Sequence, residues 1–521
     1  MNTCSGLLDT VSIVTLQHTF PRNRGPVLAL AKVMTGLGSS VFASISSNLF
    51  ADNLSGFLYF VMVYAMVVSL VGCFVIVLPP YALNWWRERC MTEEEKETSR
   101  SLSVVYDSKN VPVPRLAIGY TIVISLILFF STSSPIIAYM GISQQARYAI
   151  GALTCLMVCS FGFLALPLRC LGGVDEPSPA LDVDRAGDGA AAPRSASSTL
   201  DTEPTTMREH ASTRAALPAA PHAEVAGLVD KDVQKRGEMV EMNVDVVDLE
   251  YSNTGKREAH LYAAYMDPDA IKYTDPKYPG TIWDALRHVD IYLIYLGFIL
   301  QASIGTIVTY NASTIYVART GRSRSTQLSA LYTAFFGIGS ALGRIAVGIF
   351  EAFVQRQPEG KRRLLVTMVL PVPAIIGTIG GILILILPGG ALLLPYIMIY
   401  FKEGFFYSTC AIVFPSLYRT HLSIYYNLSC ATMVVSVVCF NRFLFGYMVD
   451  KKRDELHLSG ECTSRDCILT PIVVSICFCA VAFVLFIVAH IRYSRFVRRC
   501  ERDRAAADRA MVPQGGAEPT L

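Results

Sequence analysis

Polar residues stand inside the apolar runs of this 521-residue chain, and any chemistry must start from them. Arg344 sits in QLSALYTAFFGIGSALGRIAVGIFEAFVQ (327–355), among the small residues Gly337, Ser340, Gly343, Ala346 and Gly348. Lys402 and Glu403 are adjacent near the centre of the run 391–414. Lys32 falls in the first turns of 27–50. Gln301 lies deep in 289–315, with Tyr310 and Asn311 nearer its end. A charge at membrane depth costs roughly 2.5–3.5 kcal/mol on insertion scales, so it is buried against protein or a wet cavity. Arg344 therefore reads equally as a structural anchor or a functional charge. Neighbours on a helix point about 100° apart, so Lys402 and Glu403 should not share one target. One is expected to face a cavity while the other pairs with an adjacent helix. The depth of Glu403 makes it a candidate proton carrier, with a structural ion pair weighted equally. Lys32 can hold an anionic group or snorkel to the interface, and snorkelling is the preferred expectation.

Positioning these residues takes membrane-spanning helices of about 20 apolar residues. Ten runs qualify: 27–50, 57–79, 115–140, 147–171, 289–315, 327–350, 364–387, 391–414, 422–448 and 470–491. A shorter apolar segment, Cys4 to Leu16, contains Asp9 and reads as the end of another span. Small residues along the Arg344 run should let a neighbouring helix approach closely. The expected class is an all-α polytopic membrane protein. Composition agrees: 52% of residues are hydrophobic and 17% charged, with a mean hydropathy of +0.41, whereas soluble domains carry about 25% charged residues.

Other classes are disfavoured. A net charge of +3, without a basic-aromatic patch, argues against nucleic acid as a partner. There is no P-loop for an ATP-driven pump. No metal-ligand cluster, nucleophile elbow or paired catalytic carboxylate stands out. Neither an enzyme nor a cofactor is expected. The fourteen cysteines lie mostly in apolar runs, where they act as small hydrophobes. The N-terminus lacks the pattern of a cleavable signal peptide.

Charged loops suggest an orientation. Basic residues in 18–26, 80–114, 351–363 and the tail after Ile491 fall on one side of a ten-span alternation, which is then cytoplasmic. Arg319, Arg322, Arg324 and Lys451 to Arg453 fall on the other side and weaken this fit. Asn53-Leu54-Ser55 is a glycosylation sequon in a short loop facing away from the basic side, while Asn311 and Asn427 are formal sequons expected to stay bare. The domain reading is 1–171 as a first membrane block, 172–280 as a largely disordered cytoplasmic loop, 281–495 as a six-helix block and 496–521 as a cytoplasmic basic tail. The central loop is Ala/Pro/Ser/Thr/Asp-rich and poor in aromatics from 174 to 225, too polar to offset its ordering entropy. Thr281 to Val289 could form a short amphipathic helix leading into the next span.

Several motifs occur in a fixed order. Phe20-Pro21-x-x-Arg24-Gly25-Pro26-Val27 is followed by Ala31-Lys32 and Thr35-Gly36-Leu37-Gly38. Later come Leu342-Gly343-Arg344 with Gly348, Tyr426-Asn427, Phe445-Gly446-Tyr447 with Asp450, and Cys462 with Cys467. In this order they resemble the nodulin-like family of the major facilitator superfamily, over most of the chain except the central loop. The resemblance implies two helical bundles with a solute cavity between them. It also implies three helices and most of a fourth before the Phe20-Pro21 passage, so the N-terminal bundle would be incomplete in a chain beginning at Met1. An oligomer or a partner could then supply the missing helices. The family's function is implied to be secondary transport of a small molecule or ion by alternating access. The alternative is a non-transporting receptor, regulator or remnant. Arg344 and Asp450 sit near positions similar to superfamily gating motifs, with Asp450 displaced to the far face. Helix counting from the resemblance puts 449–469 on the non-cytoplasmic side, where oxidising conditions favour a Cys462–Cys467 disulfide over two free thiols. Plasma and organelle membranes fit equally.

Overall fold

A computed structural model describes residues 2–20, 24–50, 53–81, 85–96, 111–166, 277–278, 280–323, 325–355, 364–418, 422–457 and 460–511, with Ser99, Tyr106, Leu171 and Gln357. The central loop expected at 172–280 lies almost wholly outside these residues, as do Arg324, Arg356 and Lys361 to Arg363. No named strand occurs among the described residues, and an isolated bridge joins Tyr278 to Tyr418. The chain is an all-α polytopic membrane protein. Among the described residues ten helices are long and apolar enough to cross a membrane, and each overlaps one of the ten apolar runs.

The first group holds α1 (Asn2–Thr19), α2 (Arg24–Leu49), α3 (Leu54–Val75), the short α4 (Trp85–Cys90), α5 (Val113–Tyr139) and α6 (Gln144–Cys159). Asn53 caps α3 by accepting from the Gly56 amide at 2.8 Å, and Ser143 caps α6 in the same way. These side chains satisfy amides that a helix start leaves orphaned. Such satisfaction matters most where lipid offers no hydrogen bonds. α3 buries no residue at all. Its apolar circumference suits a helix surrounded by lipid.

The second group opens with α7 (Ile282–Ala285), a single turn within the stretch where a short helix was expected. Thr281 and Asp284 form a reciprocal capping box. Hydrogen bonds from Thr281 hold the Asp284 carboxyl below its ordinary range. The box is thus intact at neutral pH and loosens as pH falls through that lowered value. Then follow α8 (Val289–Thr320), α9 (Thr326–Gln355), α10 (Val372–Ile386), α11 (Leu393–Leu417) and α12 (Leu422–Ser436). α12 runs through a π-helical stretch, Val437–Gly446, into α13 (Tyr447–Glu455), and α14 (Asp466–Met511) ends the series. The reading of 449–469 as loop is corrected here: helix continues to Glu455, where Asp450 pairs with Arg453 at 3.1 Å and Lys452 with Glu455 at 2.9 Å. Such i,i+3 pairs support a helix end that has left the apolar layer.

α9 is the centre of the packing, against α2 on one side and α11 on the other. The sequence explains the close approach. A Cβ at Gly36 of α2 would lie 3.0 Å from the Ala341 amide nitrogen, and one at Gly339 of α9 would lie 2.7 Å from the Ile397 carbonyl of α11. Without side chains at these points the backbones come together, and dispersion along the seam replaces the hydrophobic drive that lipid cannot supply. One core cluster joins Ile13 and Leu28 to Phe298, Phe406, Phe414 and Phe486. Another joins Val33, Leu37, Val123 and Phe130 to Ile338 and Ala341. The two helix groups therefore share apolar cores across the α2–α9 seam.

Candidate functional site

The charges gather on that seam. Lys32 projects from α2 and is 1% exposed. Its ammonium donates to Asp9 of α1 and to the hydroxyl of Tyr426 on α12. The Tyr426 hydroxyl also donates to Asp9 at 2.6 Å. The expected snorkelling is thus overturned. A carboxylate and a phenol lie within reach of the ammonium inside the protein, so it need not extend to water. The Lys32 ammonium also lies 4.5 Å from the Tyr426 ring centroid. Next to it, Thr10 donates to Asn427 at 2.5 Å, tying α1 to α12 a second time.

Arg344 of α9 reaches the same place from the opposite side and is 5% exposed. Its Nη1 donates to the backbone carbonyl of Lys32, and its guanidinium carbon lies 5.4 Å from the Tyr407 ring centroid. Its Nε is buried without a hydrogen-bond partner. Among the described residues no carboxylate forms an ion pair with it. Beside Lys32 is a cavity of about 10 Å³, the size of one water, lined also by Gly25, Gly348, Glu351 and Ser408. The Ser408 hydroxyl is buried without a hydrogen-bond partner.

A second polar centre lies inside the C-terminal helices. The Lys402 ammonium of α11 donates to Glu403 at 2.6 Å and to the Gln301 carbonyl of α8 at 2.8 Å. The expectation that neighbours on one helix must diverge is corrected by side-chain length: the lysine stem bends its head back to the next residue. Lys402 and Glu403 are 0% and 6% exposed. The pair occupies the space over Gly305 of α8, where any Cβ would collide with Glu403. Gln301 thus contributes its carbonyl, while its side-chain Oε1 is buried without a partner.

Asn311 is brought to neither centre. It marks a kink in α8, with φ −125° and ψ 21°. Its Nδ2 donates to the Ile307 carbonyl at 3.1 Å and to Asn441 of the π-helical stretch at 2.5 Å. Two irregular helix segments therefore meet through one amide pair, and Asn311 lies inside a helix that continues to Thr320 rather than at a span's edge. Cys462 and Cys467 form a disulfide with a Cα–Cα distance of 6.5 Å. Asn53 is exposed at the start of α3. Among the described residues no group of three or more His, Cys, Asp or Glu could hold a metal ion.

Asp9, Tyr407 and Ser408 were not among the sequence candidates. Asp9 left a signal, as the one acidic residue in an apolar segment. Tyr407 and Ser408 left none, because an aromatic or a serine in a span is ordinary.

The fold and these buried charges define a multi-pass membrane protein of transporter-like build. Residues 2–155 match the model of the Nodulin-like family, so this part of the chain is similar to that family. No curated protein matches the chain.

Proposed function

We propose that the protein is a secondary transporter of the major facilitator type, carrying a small solute by alternating access across the α2–α9 seam. The observation that supports this most is the placement of Lys32, Asp9 and Arg344 between the nodulin-like helices and the C-terminal helices. Transporters of this kind hold their site near the bilayer midplane where two bundles meet, and they move one bundle against the other. A buried ionisable cluster in that position is costly to keep, and such clusters mark binding sites or moving contacts. The bonds joining the groups are few and polar: Lys32 to Tyr426, Tyr426 to Asp9, and Arg344 to the Lys32 carbonyl. Each can break and be remade by a rocking of a few ångströms. Nothing in this reading requires a catalytic step or a resident cofactor.

The test is the accessibility of the site from each side. Ser408→Cys replaces a hydroxyl that makes no hydrogen bond, in a background with the other free cysteines substituted. A small membrane-impermeant methanethiosulfonate should modify it from either face of sealed vesicles, because the seam opens to each side in turn. Modification from one face only, or from neither, would instead mean a fixed membrane protein of the receptor or regulator kind.

A further inference from the structure

We infer that the solute is a monovalent carboxylate, bound between Arg344 and Lys32; this rests on the transport reading above and names its substrate class. The first ground is charge. Lys32 is ion-paired with Asp9, whereas Arg344, 5% exposed, has no ion-paired carboxylate among the described residues. The nearby carboxylates do not supply one. Glu403 is paired with Lys402 at 2.6 Å, and Glu351, which lines the small cavity with Lys32, forms no ion pair with Arg344. The aromatic faces of Tyr426 and Tyr407 stand beside Lys32 and Arg344 respectively. A π-face offsets a cation only weakly compared with a carboxylate.

The second ground is geometry. The Arg344 Nε is buried with no acceptor, and its Nη1 is held by a carbonyl on the opposing helix α2. Separation of α2 from α9 removes that carbonyl. The guanidinium then presents donors in a fixed fork, which a carboxylate matches with two parallel hydrogen bonds. The Ser408 hydroxyl, buried and unpartnered on the cavity wall beside Lys32, supplies a further donor. One guanidinium without a counterion selects a monoanion over a dianion. A neutral solute would leave that charge uncompensated, and a cation would add to it.

The purified full-length chain in detergent provides the test, with thermal unfolding followed against sodium acetate, lactate, pyruvate and benzoate. The corresponding neutral amides and sodium phosphate are the comparisons. At least one carboxylate should raise the unfolding midpoint saturably, and its amide should not. Arg344→Lys keeps the charge and the fold but loses the fork, so the apparent affinity should drop about tenfold or more. Arg344→Gln should abolish the effect. The inference is overturned if no carboxylate stabilises the wild-type chain, if an amide matches its acid, if phosphate alone acts, or if Arg344→Gln responds like wild type. The labelling of Ser408→Cys separates this from the transport reading. Labelling from both faces with no carboxylate effect removes the substrate class and keeps transport. A carboxylate effect that depends on Arg344, with labelling from one face only, keeps the anion site and removes transport.

Discussion

Lys402 and Glu403 compensate each other in a setting that excludes water, so they should behave as one unit. Removing one partner strands the other charge in a low dielectric, which costs about 3–5 kcal/mol in comparable buried pairs. Glu403→Gln should therefore lower stability by that order, and Lys402→Met by a similar amount. The double variant should recover most of the loss, since replacing both charges is often close to neutral. Unfolding of the detergent-solubilised variants measures this, and losses that simply add would show that the pair is not coupled. If Glu403 also carries a proton, Glu403→Gln should flatten the pH dependence of uptake in proteoliposomes, and an unchanged profile would exclude that role. Tyr426 is a milder case. Tyr426→Phe removes a hydroxyl that both donates to Asp9 and accepts from Lys32. The cost should be roughly 1–3 kcal/mol, because two charged groups each lose a bond. A cost near zero would mean that Asp9 and Lys32 compensate each other without it.

Among the helices, α9 shows why small residues recur beside a charge. A Cβ at Gly404 would run into the Ser340 carbonyl, and one at Gly343 into backbone of α11. Gly404→Ala should force the two backbones apart and cost at least the roughly 1–3 kcal/mol typical of an overpacked core. Gly38→Ala, on α2 with nothing within 4 Å of the new methyl, should be neutral or slightly stabilising, since alanine suits a helix better. Equal losses at the two sites would refute close packing as the reason for the glycines. This seam was partly legible in the sequence: the spacing of Gly337, Ser340, Gly343 and Gly348 announced a close neighbour. Nothing in that spacing said that the neighbours would be α2 and α11. Length and hydropathy delimit a span well, because the bilayer sets both. They carry no information on which span it touches. For the same reason Arg344, Lys32 and Lys402 could be named as buried charges, while their partners could not. Asp9 meets Tyr426 across 417 positions of chain, and only the fold brings them together. The π-helical stretch was also invisible, since hydropathy does not distinguish π from α winding. Its place opposite the Asn311 kink suggests a hinge. Asn311→Ala removes both hydrogen bonds there and should slow uptake more than it lowers stability.

Across the molecule, the parity of the ten spans fixes which loops share a side. Three crossings, by α3, α5 and α6, separate Asn53 from the central loop and put the two on opposite sides, and every later pair of crossings restores the alternation. Asn53, at the α2–α3 turn, and the Cys462–Cys467 disulfide, before α14, therefore face the same compartment, opposite the basic tail. Asn53 is exposed and spends only its Oδ1 on the cap of α3. Its Nδ2, the atom that would carry a glycan, points to no partner that glycosylation must break. Asn53→Asp is the informative change, because aspartate caps a helix as well as asparagine does but cannot accept a sugar. In a eukaryotic host, endoglycosidase should shift the wild-type band and leave the Asn53→Asp band unmoved, with both proteins equally stable. A tag on the C-terminus should be reached by protease only from the other face. The disulfide supplies an independent reading of the same side. Its cysteines are buried, 2% and 1% exposed, so the readout is reduction: a membrane-impermeant phosphine should open the bond only from the glycan's face, scored by alkylation after denaturation. If glycan and disulfide report opposite faces, one helix between them fails to cross the membrane. α13 would be the first suspect, because Asp450, Lys451, Lys452 and Arg453 make it the least apolar end of any span between the two loops.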